Sequence, residues 1–399
     1  MMLSPVAYVG ISIAVGLSFG VLLQKARFCF VSAFRDFVAF KDTRVLTGLL
    51  AGIAVMTVFW SVQATFGYFR GFWTPAWGLG SLFGGFVFGL GMTLAGGCAS
   101  GTLYRAGQGY LQFWLVLLFM FVGYVLFAFA FPVAETYYFA TLNPFEGRTL
   151  YLSLPFSPAV TGVLAVGLGT LAYAFVKGRS RLPDDGTGVG TDTRAQAALG
   201  ASRTLSAVST GLRGIADGTV EYARGLLDDD RPLKIRLRDS WDARTAGVAM
   251  ALVASVWFYV HGHWAITGSE ARWAGYLLAG AGFDVASVDY WGSILFRDGN
   301  ISLTIDMVMI ASLIVGSFIA AYASGDFRIR KPKLNRVPNY AVGGLLMGVG
   351  SRLAAGCNIA NLFSGIALLS VHSFLAGAGI IVGVYVMTHY MYREVGCAI

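Results

Sequence analysis

The feature that most constrains the fold of this chain is a sentence written twice. Residues 84–103 read GGFVFGLGMTLAGGCASGTL, and residues 343–362 read GGLLMGVGSRLAAGCNIANL. The two align without a gap at an offset of 259, with 9 of 20 positions identical. Both are apolar enough to lie in a bilayer, and both are broken by glycines beside a cysteine. A break inside a membrane frees backbone N–H and C=O groups, which is tolerated only where protein or a cavity satisfies them. Two such breaks therefore predict two buried, built sites.

The rest of the chain supports a bilayer setting. Of its 399 residues, 56% are hydrophobic and 13% charged, where a soluble domain carries about a quarter charged. Continuous spans are predicted at about 5–24, 45–68, 110–131, 157–177, 244–261, 300–324 and 371–392, near the length that a helix needs to cross. The broken stretches cover about 80–109 and 338–370. Short apolar pieces at 26–40 and 271–283 read as half-helices. The expected class is an all-α polytopic membrane protein. The net charge of +8 then reports orientation rather than affinity for nucleic acid.

Basic residues cluster at 25–44, 325–337 and both ends of 178–243, which assigns all three to the cytoplasm. That assignment requires each broken stretch to count as one crossing, the first inward and the second outward. Residues 1–131 and 244–392 become inverted repeats with discontinuous helices meeting near the midplane, an architecture of transporters. Residues 157–177 form an extra helix. About nine crossings follow, with the N-terminus outside and the C-terminus inside. The first charges follow the first apolar run, which reads as a spanning helix rather than a cleaved leader. Three regions result: 1–177, a polar cytoplasmic insert at 178–243, and 244–399. Within the insert, Leu205, Val208, Leu212, Ile215, Tyr222 and Leu226 fall at helical spacing, consistent with either a docking helix or a linker.

The chemistry concentrates at the breaks. Gly97 and Gly356 let the chain turn beside Cys98 and Cys357. Ser100 and Thr102 supply hydroxyls in the first copy, and Asn358 and Asn361 supply amides in the second. A donor-lined path with few carboxylates suits an anion. A neutral thiol is a weak donor and a soft neighbour, suited to a terminal sulfur or selenium. Taken singly, each cysteine is more simply a small core residue; recurrence in both breaks argues for a shared role. Cys29 lies in ARFCF, and the weakly similar ARWAG puts Ala274 in its place. Arg27, Arg272 and Arg352 fall in or beside apolar segments, where charge is functional by default. Arg105 reads as the end of its half-helix.

Four dispersed cysteines with four histidines predict no metal site or disulfide framework. No cofactor is expected, and no G-x-x-x-x-G-K-(S/T) motif suggests ATP hydrolysis. Asp306 is the main intramembrane carboxylate considered as a proton relay, with passive movement the default.

The repeated G-x-G-x-x-x-A-(G/A)-G-C stretch resembles the YeeE/YedE family of sulfur transporters, and ARFCF resembles that family's third cysteine site. The likeness covers about 1–177 and 244–392. It implies uptake of thiosulfate across the inner membrane through an hourglass-shaped fold, with the ion handed between Cys29, Cys98 and Cys357 by S–H···S hydrogen bonds. The insert makes the chain look more like the longer YedE branch, which implies a selenium species as another substrate. The family further implies a small TusA-like sulfur-carrier partner. The competing reading is a membrane sulfurtransferase or thiol oxidoreductase with a cysteine nucleophile, but His261, His263, His372 and His389 have no evident spacing to the cysteines. A non-transporting scaffold would explain the insert and not the duplicated breaks.

Overall fold

The computed structural model describes residues 4–69, 71–179, 241–297, 300–301 and 303–394. The amphipathic pattern at 205–226 and Cys397 lie outside them. Thirteen helices carry the architecture: α1 (Pro5–Ala26), α2 (Phe30–Phe40), α3 (Arg44–Thr65), α4 (Leu79–Ala95), α5 (Ala99–Gly107), α6 (Leu111–Val133), α7 (Pro158–Arg179), α8 (Ala243–Val260), α9 (Thr267–Gly280), α10 (Asp289–Leu295), α11 (Ile305–Ser324), α12 (Val337–Leu353) and α13 (Val371–Glu394). The strands described are one two-residue antiparallel ribbon, Phe296 opposite Ile301. Seven helical stretches are long and apolar enough to cross a membrane, so the chain is an all-α polytopic membrane protein.

Helix boundaries follow local chemistry. Ser4 accepts the Ala7 N–H ahead of Pro5 to start α1, and Asp242 accepts the Arg244 and Thr245 N–H groups to start α8. At the first break, α4 ends on Gly96 in the left-handed region, φ 71°. The matched position in the second copy is Ala355, also left-handed at φ 49°. One turn is thus made twice, once with the residue that adopts it freely and once against a Cβ penalty of about 1 kcal/mol.

The two copies touch each other. A Cβ on Gly84 would lie 2.4 Å from the Ala354 nitrogen, and one on Gly343 would lie 2.5 Å from the Ala95 nitrogen. One on Gly350 would lie 2.6 Å from the Phe88 nitrogen, and one on Gly91 2.7 Å from the Met347 nitrogen. The start of α4 meets the end of α12 and the reverse, so the helices cross antiparallel with backbones in near contact, as small residues allow in a membrane. Each contact maps onto another through the offset of 259. Four more helix pairs are reciprocal in the same way: α13 on α4 and α6 on α12, α1 on α11 and α8 on α3.

This register corrects one expectation. The breaks do not meet at the midplane. They sit at opposite ends of the crossed pair, with about 18 Å of helix between them at a rise of about 1.5 Å per residue. The register between ARFCF and ARWAG is also corrected. Cys29 precedes α2 in an extended conformation, whereas Ala274 is buried in the middle of α9. The half-helix expected at 271–283 begins earlier, at Thr267.

Candidate anion site: two breaks, two chemistries

At the first break, two thiols meet. Cys29 leaves α1 through Arg27, whose left-handed backbone (φ 50°) turns the chain inward, and Cys98 caps α5. Both thiols are fully buried, and their Sγ atoms are 3.7 Å apart. The Gly101 N–H donates to Cys98 Sγ at 3.3 Å, and Ser100 Oγ lies 3.4 Å from the same sulfur. A Cβ on Gly101 would come within 3.0 Å of Cys29 Sγ and 3.2 Å of Cys98 Sγ, so glycine keeps the space between the thiols clear. Gly97 is packed on Phe113: an added Cβ would meet Cε1 at 2.6 Å.

Several expected ligand contacts are spent on structure. Thr102 Oγ1 donates to the Cys98 carbonyl at 3.0 Å. Arg105 does not simply mark the end of α5. It turns back, donating from Nη1 to the Gly96 carbonyl at 2.8 Å and from Nε to the Tyr104 hydroxyl at 3.1 Å, with its guanidinium over the Phe113 ring. It thereby satisfies a carbonyl that the break frees. Arg27 is exposed at the end of α1, whereas both thiols are buried.

The second break uses its polar groups otherwise. Asn361 Nδ2 donates to the Ala354 carbonyl at 3.2 Å, and Asn361 Oδ1 accepts from Ser373 Oγ at 3.4 Å. His372 Nε2 lies 2.9 Å from the same Ala354 carbonyl, while Nδ1 lies 3.0 Å from Ser81 Oγ. These groups hold the freed end of α12. After Cys357 the chain winds as a π-helix over Ile359–Gly365 rather than as an α-helix. Asn358 differs from its neighbours: it is fully buried, and neither its Oδ1 nor its Nδ2 has a partner.

Beside this break lies a cavity of about 210 Å³ lined by Arg352, Arg272, Asp306, Thr267, Ser269 and Gly356, with Trp73, Trp257, Ala265, Gly268, Ala355, His261 and His263 completing the wall. Arg352 Nη2 donates to Thr267 Oγ1 at 2.7 Å and Nη1 to the Tyr290 hydroxyl at 3.1 Å. Both partners are hydroxyls, so these contacts orient the guanidinium toward the cavity without a direct ion pair. Arg272 instead pairs with Asp306 at 2.5 Å, and Ser269 donates to the same carboxylate oxygen at 2.6 Å. Two guanidiniums and one carboxylate thus line the wall itself. His263 stacks on Trp73 at 4.6 Å between ring centroids. Burial pushes it down to about 3, so its ring is neutral at physiological pH.

Aromatic rings separate the two sites. Phe30, next to Cys29, meets Phe363 of the π-helix edge-on at 5.9 Å. Phe363 meets Trp264 at 6.0 Å, and Trp264 stacks on Phe19 at 3.7 Å. All four are fully buried, and Trp264 adjoins the cavity residues His263 and Ala265.

Sequence reasoning missed Glu270 and Tyr124, which form a buried hydrogen bond at 2.6 Å behind the cavity. A lone acid preceding ARWAG was the available signal. It also left His372 without the bracing role that its two ring nitrogens show.

The model of one protein family, described as sulphur transport, matches residues 25–386 of this chain. The chain belongs to that family. It is 29% identical to the thiosulfate transporter TsuA of Spirochaeta thermophila over 390 residues, covering 95% of this chain and 98% of that one. It is 27% identical to the thiosulfate transporter TsuA of Escherichia coli, covering 94% and 93%. The likeness to the probable transporter YedE of Escherichia coli is 32% over 145 residues, or 36% of each chain. The membrane spans and the family together make this a multi-pass protein of sulfur transport.

Proposed function

We propose that this chain imports thiosulfate across the inner membrane, using its two breaks as the two mouths of one path. The observation that carries this reading is the antiparallel α4–α12 pair, which holds a buried cysteine at each end and a cation-lined cavity beside the second. Near-end-to-end similarity to two proteins named thiosulfate transporters supports the substrate. Adding Pro158–Arg179 and the broken span Val337–Gly365 to the seven apolar stretches gives nine crossings. The basic segments then orient the N-terminus outside and the C-terminus inside.

In this orientation the cavity faces outward and the thiol pair faces the cytoplasm. Arg352 and the Arg272–Asp306 pair draw the dianion in, and Ala355 and Gly356 bring it to the break, next to Cys357 and Asn358. The aromatic waist, Phe19, Trp264, Phe363 and Phe30, keeps water and hard anions from crossing. On the inner side, Cys98 and Cys29 offer soft S–H donors beside the N-terminus of α5, where backbone N–H groups favour negative charge. Terminal sulfur distinguishes thiosulfate from sulfate here, because polarizable partners suit it. A small TusA-like carrier is the proposed cytoplasmic partner, docking on residues 178–243, and a selenium anion is the alternative cargo. The described partners of Cys98 are an N–H, a hydroxyl and a second thiol, which gives a sulfurtransferase reading no base to activate a nucleophile.

The test is uptake of radiolabelled thiosulfate by purified protein in liposomes. Competition by unlabelled thiosulfate but not sulfate is expected. No thiosulfate uptake, with flux of selenite instead, would move the assignment to selenium. Binding of a TusA-like protein that is lost on deletion of 195–227, with flux intact, is the result expected for the partner.

A further inference from the structure

Glu270 is the buried acid that the proposed path leaves unexplained. It sits on α9, fully buried, while Thr267, Gly268, Ser269 and Arg272 of the same helix line the cavity. Its Oε2 accepts from the Tyr124 hydroxyl of α6 at 2.6 Å, and its Oε1 has no partner. Over the Tyr124 ring lies Arg352 of α12, with the guanidinium 5.6 Å from the ring centroid. Glu270 and Arg352 are therefore near enough to feel each other's charge but are bridged by a phenol rather than joined as an ion pair. A buried carboxylate oxygen without a donor is costly, whereas a buried carboxyl O–H costs far less.

The surrounding charges sharpen this. Asp306 of α11 is already engaged, with one oxygen accepting from both Arg272 and Ser269. Tyr290 of α10 is engaged by Arg352. Asp284 and Asp289, on the segment after α9, are exposed and face solvent. Tyr124 and Arg352 remain as the groups that set the state of Glu270.

We propose that Glu270 is a proton site that loads together with the anion, making the chain a proton–anion cotransporter. This rests on the thiosulfate reading above. With the cavity empty, ionised Glu270 balances Arg352 through Tyr124. When a dianion enters, it takes over Arg352, and Glu270 binds a proton from the outer aqueous side at Oε1, going from one negative charge to none. The Tyr124 hydroxyl keeps donating to Oε2 throughout. Release of the anion to the cytoplasmic side returns the proton there.

The experiment uses full-length protein in lightly buffered proteoliposomes, following labelled thiosulfate and external pH together. Adding thiosulfate is expected to alkalinise the medium as uptake proceeds. A pH gradient of about one unit, acid outside, should raise steady-state accumulation about tenfold for one coupled proton. Glu270→Gln should abolish the alkalinisation and flatten the pH dependence of uptake. Tyr124→Phe removes the donor that favours the ionised form, so it should move the pH profile to higher pH even if Glu270→Gln fails to fold. Thiosulfate uptake without proton movement, proton movement that persists in Glu270→Gln, or an unshifted profile in Tyr124→Phe would each overturn the proposal while leaving thiosulfate transport standing. Absence of thiosulfate uptake at every pH would instead overturn the reading on which it rests.

Discussion

The two breaks are copies of one sequence, yet they have become different sites. The first makes its left-handed turn with Gly96, braces it with Arg105, and gathers two thiols 3.7 Å apart with no carboxylate among their partners. The second makes the turn with Ala355, braces it with Asn361 and His372, and opens onto a cavity carrying Arg352, Arg272 and Asp306. A duplicated backbone fixes where a helix can stop. It does not fix which side chains satisfy the freed groups or what faces the gap. One copy lies beside a cavity lined by charged groups, and the other holds a pair of thiols.

Changes at the thiols should have the largest effect. Cys98→Ala and Cys357→Ala should each lower thiosulfate uptake at least about tenfold, the loss of roughly 1.4 kcal/mol of interaction with the passing sulfur. Gly101→Ala should act like Cys98→Ala, because the new methyl group occupies the space between Cys29 and Cys98. Normal uptake in all three would return these cysteines to ordinary packing.

Arginines come next and should separate the two roles within the cavity. Arg272→Gln strands Asp306, whose side chain is only 11% exposed, and should destabilise the protein by about 3 kcal/mol, read as a lower Tm. Arg272→Gln combined with Asp306→Asn should recover most of that loss. Arg352→Gln breaks no direct ion pair, so its stability loss should be smaller than that of Arg272→Gln, while KM should rise about tenfold, the share of one charge-assisted contact. A KM unchanged in Arg352→Gln would remove the cavity from the path.

Smaller effects probe the copies themselves. Ala355→Gly should stabilise the second break by up to about 1 kcal/mol, and Gly96→Ala should destabilise the first by a similar amount. Opposite signs at matched positions are the signature of one turn shared by both copies. Thr102→Val, which removes only a back-bond to the Cys98 carbonyl, should change uptake by less than about twofold. A tenfold loss would show that the hydroxyl meets the anion.

Much of this was legible in the sequence because membrane burial writes strong signals. Apolar length gave the spans, and glycine beside cysteine gave the breaks. The paired glycines Gly84, Gly91, Gly343 and Gly350 also carried the antiparallel crossing, but only contact distances reveal which backbone each one admits. The side-chain roles were less legible. Thr102, Asn361 and Arg105 are the right types for a ligand site, but Thr102 back-bonds within α5, and Asn361 and Arg105 are consumed by carbonyls that the breaks expose. Glu270 was visible only as a lone acid before ARWAG; its meaning depends on Tyr124, 146 positions away. The depth of each break was likewise invisible, since two helices of similar length can stop at the same level or at opposite ends of their crossing.

The central claim is that the breaks open to opposite sides of the membrane. It is tested most directly by labelling with a small, membrane-impermeant, negatively charged methanethiosulfonate in sealed proteoliposomes of uniform orientation. From the outer face the reagent is expected to modify Cys357, with thiosulfate protecting it. From the cytoplasmic face it is expected to modify Cys98 or Cys29 and leave Cys357 untouched. Modification of Cys98 and Cys357 from the same face would contradict the account.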